Sequence, residues 1–134
     1  MTPPAPPSYA EQDAFDLPEW LGESEVVWRS ENDLRRSHRV VGALLAPGHD
    51  PVFCDLLAVD DAYPSPAAAD PLRVRAHQVW QNGEVLVARD GDRVLLVVPG
   101  SRVPTDAAIQ AIGRLARAVG ARAGSWSVQL RIGS

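Results

Sequence analysis

The sequence predicts an α+β protein: an antiparallel sheet of five to six strands, one main helix packed on one face, and a final strand after that helix. Three observations predict it. Residues 72–98 form a largely apolar stretch punctuated by Asn82-Gly83 and Asp90-Gly91, dipeptides that supply the positive φ angles of tight hairpin turns. Residues 105–119 carry apolar side chains at helical spacing, and residues 125–132 alternate between apolar and polar.

At 134 residues the chain is long enough for one domain with a real core and too short for two of ordinary size. Composition divides it into a Pro-rich, acidic front segment, residues 1–22, expected to be partly disordered, and a single α+β domain over 23–134. Pro3, Pro4, Pro6 and Pro7 fix their own φ and carry no amide proton, so the start is expected to be an extended tail. Phe15, Leu17, Trp20 and Leu21 then stand among acids, where Pro18 and Gly22 bracket one helical turn. Such a segment suits docking into another protein's groove, or capping this domain's own sheet.

Residues 25–29 read as a short strand, and Ser30 to Asp33 resemble a capping box. Residues 39–46 and 52–59 read as a hairpin, because Pro47, Gly48 and Pro51 stop both runs. Residues 60–71 read as a surface connector. The meander over 72–98 gives three strands. In the helix, Thr105 is the expected N-cap, Gly120 the stop, and Ile109, Ile112, Ala116 and Val119 the packing stripe with Leu115 beside it, while Gln110, Arg114 and Arg117 fall elsewhere.

Pairing the meander about Asn82-Gly83 sorts its side chains. Val74, Ala76, Trp80, Val85, Val87, Val94, Leu96 and Val98 share the face expected to meet the helix. The other face holds Arg73, Arg75, His77 and Arg93, yet also Val79, Leu86, Ala88, Leu95 and Val97, too apolar a set for a solvated surface. A cover is required: the chain's own elements, a second copy, or a protein partner.

The net charge is −4, and it is unevenly placed: residues 1–33 hold eight acids and one Arg, the remainder nine acids and twelve Arg. This argues against a nucleic-acid binder, although Arg35, Arg36, His38 and Arg39 cluster. Their simpler reading is a solvated turn paired with Glu31 and Asp33. The absence of Lys beside abundant Arg, Ala and Pro matches a GC-rich bacterial coding sequence. A single Cys, no signal-peptide pattern and no apolar run near membrane-spanning length together predict a cytoplasmic protein with no membrane association.

No catalytic or phosphate-binding motif stands in the sequence. His49 and Cys54 match no compact ligand spacing, and no metal or cofactor is implied. The binding candidates are therefore Arg73, Arg75, His77 and Arg93, with Phe15, Leu17, Trp20 and Leu21 as an interaction segment. The expected function is a non-catalytic protein-binding or regulatory module. Its alternative is a small-molecule-binding protein or small enzyme with a pocket beside Arg73, Arg75 and His77.

Overall fold

The computed structural model of the chain describes residues 9–34, 38–60 and 70–132. The Pro-rich start, Arg35, Arg36 and most of the connector lie outside the described residues. In chain order the elements are β1 (Ala10–Glu11), a 3-10 turn (Ala14–Asp16), α1 (Trp20–Glu23), β2 (Val26–Ser30), β3 (Arg39–Val40), β4 (Gly42–Leu45) and β5 (Val52–Ala58). There follow α2 (Asp70–Gln81), β6 (Leu86–Asp90), β7 (Arg93–Val98), α3 (Thr105–Ala118) and β8 (Trp126–Gln129).

The protein is α+β, but the expected antiparallel sheet of five to six strands is corrected. Among the described residues, eight strands form one mixed sheet in the order β1-β6-β7-β5-β4-β2-β8, with β3 also paired to β5. Two of the pairs, β5 with β7 and β2 with β8, run parallel. A parallel pair needs a crossover connection, and β5 reaches β7 by way of α2 and β6.

That crossover contains the main departure from expectation. Residues 72–81 are helix, so the meander reduces to the single hairpin β6–β7, with Asp90 opposite Arg93 and Leu86 opposite Val97. Gly91, at φ 63°, turns this hairpin as anticipated. Asn82-Gly83 instead closes α2: the Gly83 N–H donates to Trp80 O at 3.0 Å and the Glu84 N–H to Val79 O at 3.1 Å. This is a Schellman ending, and Gly83 at φ 82° occupies the left-handed position it requires. The same dipeptide chemistry serves a hairpin or a helix end, and here the helix has it.

The cover demanded by the second sheet face is α2. Ala76 and Val79 of this helix bury Leu57, Val59, Leu86, Ala88, Leu95 and Val97, with Tyr9 and Leu72 at the margin. The opposite face, Val85, Val87, Val94, Leu96 and Val98, meets Ala108, Ala111, Ile112 and Leu115 of α3. Sheet faces read from the sequence for β6 and β7 are thus correct, and the apolar residues that suggested a second copy as cover are buried by the chain itself. In α3, Pro104 is the N-cap rather than Thr105. Its buried stripe includes Arg114 and leaves Ile109 half exposed.

The β4 strand is threaded between β2 and β5 by a close contact. A Cβ on Gly42 would stand 2.6 Å from the Trp28 ring, so only glycine lets the indole cross the strand. The Trp28 Nε1–H donates 2.8 Å to Cys54 O, and the Gly42 N–H donates 3.2 Å to Asp55 Oδ1. Side chains thereby satisfy main-chain groups where the β3–β5 and β4–β5 ladders part. Among the described residues, no helix is long and apolar enough to cross a membrane.

Candidate functional site

The sequence places Arg73, Arg75 and His77 on one strand face, and the helix separates them. On α2, Arg73 and His77 are four residues apart and share one side, whereas Arg75 projects about 200° round the axis from Arg73. His77 Nε2 lies 2.5 Å from Asp60 Oδ2, and Arg73 NH1 lies 3.5 Å from Asp60 Oδ1. Arg75 instead reaches Glu11 of β1 at 3.2 Å. These polar contacts fasten α2 to the residues just past β5 and to β1.

Arg93 belongs to a third place. With Arg39 it encloses Asp55, whose side chain is 0 % exposed. Arg93 donates from Nε to Oδ2 and from NH2 to Oδ1, both at 2.8 Å, while Arg39 donates from Nε and NH2 to Oδ2. Arg39 also holds Asp90 at 2.6 Å, and the Arg93 guanidinium stands over the Phe53 ring. Burial pushes the Asp55 carboxyl up, but the hydrogen bonds from Arg93, Arg39 and the Gly42 amide outweigh it and hold the group below the ordinary carboxylate range. Every charge here has a partner, and the cluster ties β3, β5 and β7 together.

The interaction segment also divides. Leu17 and Leu21 are buried in the α3-side core, and Trp20 stacks on His49 with ring centroids 4.5 Å apart. Phe15 alone stands clear of the protein, 82 % exposed. The Asp13 side chain accepts from the Phe15 N–H at 3.0 Å, which starts the 3-10 turn and carries the chain away from the sheet.

That departure opens a cleft. β1 places Ala10 opposite Arg89 and Glu11 opposite Ala88, and Gln12 N–H donates to Val87 O at 2.8 Å. Beyond Gln12 the front segment no longer follows β6. A cleft of about 660 Å³ lies there, floored by Glu84 to Val87 and walled by residues 11–15, by Arg75 and Val79 of α2, and by Arg114, Arg117 and Ala118 of α3. Arg75 and Phe15, candidates from separate lines of sequence argument, meet at this one place.

Comparison of the chain with protein-family models, curated proteins and solved structures gives no match.

Sequence reasoning missed Arg114 and Gln12. Arg114 is 9 % exposed, its guanidinium 3.6 Å from the Trp80 ring centroid, and its NH1 donates 2.8 Å to both Trp80 O and Glu84 O. Its Nε and the Gln12 Oε1 are buried with no hydrogen-bond partner among the described residues. Burial, and then the charge of Arg117, lower the Arg114 pKa below its ordinary value. A signal for Arg114 did exist: it lies three residues after Ala111, on the buried stripe.

Proposed function

We propose that this protein is a non-catalytic binding module that takes an extended segment of a partner protein into the cleft between the front segment, β6 and the ends of α2 and α3. The observation that carries this reading is a pair of orphaned polar atoms on residues that line the cleft, the acceptor Gln12 Oε1 and the donor Arg114 Nε. Buried polar groups are ordinarily hydrogen-bonded, and an extended peptide brings donors and acceptors of both kinds. The setting favours a chain segment over a compact ligand. β1 pairs with only part of β6, leaving the rest of that edge beside the cleft, and the exposed Phe15 ring stands at the rim as an apolar anchor.

The test is panning of a phage-displayed library of random twelve-residue peptides against the full chain. Enriched peptides are expected to lose at least tenfold in affinity against Ala118→Trp, which fills the cleft from the last residue of α3, and to keep it against Ala118→Ser. Failure of any sequence to enrich above an unrelated control overturns the peptide reading. A cleft of this size that took only low-mass compounds would point instead to the small-molecule alternative.

A further inference from the structure

We infer that the cleft recognises a carboxylate, seated on the α3 wall by Arg114 and Arg117. The inference rests on the binding-module reading for its site and adds the chemistry that the site selects. Its starting point is a contrast among arginines. Arg39 and Arg93, whose side chains are 29 % and 26 % exposed, both sit on the Asp55 carboxylate. Taken as whole residues, Arg39 and Arg93 are half-buried whereas Arg114 is buried, at 9 % exposed, and among the described residues Arg114 has no acidic partner. Burying a charge without its counter-charge is unfavourable, and a guanidinium cannot escape by losing its proton.

The bonds that Arg114 does make explain only half of it. NH1 serves Trp80 O and Glu84 O, the carbonyls where α2 ends, and the guanidinium rests on the Trp80 ring. The Nε–H, on the other edge, donates to nothing among the described residues. That edge, Nε with NH2, is the fork that a carboxylate takes with two parallel hydrogen bonds.

Arg117 completes the seat. It follows Arg114 by three residues on α3, so the two like charges share one side of the helix and repel. Its NH2 donates 3.3 Å to Gly83 O and keeps the side chain on the cleft wall. An anion between the two relieves both the repulsion and the orphaned donor. Of the acids at the cleft, Glu11 is engaged by Arg75 and Asp13 by the Phe15 amide, while Glu84 lies on the floor. Glu11 and Asp13, both on the front segment, keep a ligand's negative end away from it and towards α3.

The probe is N-acetyl-leucine, which presents one carboxylate on a short apolar body, with N-acetyl-leucinamide as the uncharged match. Arginine Nε–Hε signals are followed by 15N NMR in the full chain at constant ionic strength. The carboxylate is expected to shift the Arg114 and Arg117 signals saturably, the amide to leave them in place, and Arg117→Gln, an exposed position, to weaken binding at least fivefold with the fold intact. Equal shifts with acid and amide, or no saturable shift with either, overturn the inference. If library peptides bind the cleft but do so equally well after every carboxylate is converted to an amide, the carboxylate inference fails and the module reading stands. If N-acetyl-leucine binds and no peptide enriches, the seat stands and the peptide reading fails.

Discussion

Asp55 shows how one residue can organise three strands and set a pH response. Its carboxylate accepts from Arg39, Arg93 and the Gly42 amide in a place water does not reach. Asp55→Asn leaves two guanidiniums facing a neutral amide, which should lower stability at neutral pH by about 3 kcal/mol, the low end for breaking a buried pair, because both arginines remain partly solvated. The Asp55 carboxyl is held below its ordinary value, so the unfolded chain binds its proton more readily than the native one. Its contribution is therefore complete above the unfolded value of about 3.9 and fades as pH falls through the folded value. Urea unfolding from neutral to strongly acid pH should show a shallower acid limb for Asp55→Asn than for the parent chain. An unchanged limb would mean that other carboxylates control acid unfolding. Sequence reading reached Arg39 and Arg93 but not their shared partner, because Asp55 lies in an otherwise apolar strand and only the pairing of β5 with β3 and β7 brings the three together.

At the scale of elements, most of the fold was legible, and the exception has a definite cause. The first hairpin, the Asp90-Gly91 turn and the α3 helix stand where patterning placed them, within a residue or two of their ends, while the last strand starts at Trp126 as expected but stops at Gln129, three residues short of the alternation that predicted it. The α2 segment satisfied two periods at once. Val74, Ala76 and Trp80 alternate as in a strand, while Leu72, Ala76 and Val79 recur at helical spacing, and the helical set is the one that meets the sheet. Val74, which belongs to the strand pattern and not to the helical set, is left 49 % exposed. Asn82-Gly83 did not arbitrate, since left-handed glycine ends a helix as readily as it turns a hairpin. Its role predicts a modest, local cost: Gly83→Ala should destabilise by about 1 kcal/mol through the φ of 82° alone, as the added methyl meets nothing within 4 Å. Chemical denaturation measures it, and a neutral result would show that the end of α2 tolerates rearrangement. The cleft was less legible than the fold. Its parts come from β1, β6, α2 and α3, and the path of the front segment depends on where α2 lies.

For the whole molecule, the single thiol gives a direct gauge of cooperativity. Cys54 is 0 % exposed at the centre of the α3-side core, and burial followed by the neighbouring Asp55 charge pushes its pKa up, with Arg93 opposing. A disulfide-exchange reagent at mildly alkaline pH should therefore modify it only through opening of the sheet. The expected result is a labelling rate orders of magnitude below that of the unfolded chain, rising with urea along the slope of global unfolding. Modification as fast as an open thiol would mean that β5 is exposed by local motion, and the sheet with α2 and α3 on its two faces would not act as one unit.

The parallel pairing of β2 with β8 carries a consequence for how the protein comes to be. Arg29 and Gln129, 100 residues apart in the chain, stand opposite each other and join side chains at 2.9 Å, and the Trp126 indole reaches Leu21 O at 2.9 Å. Contacts of such long span are costly to close and form slowly. During synthesis β4 follows β2 closely, but the other edge of β2 must wait for β8, about 100 residues further along the chain, to leave the ribosome. The growing chain thus carries β2 as the edge of its sheet, and the arrival of β8 is the event that covers it.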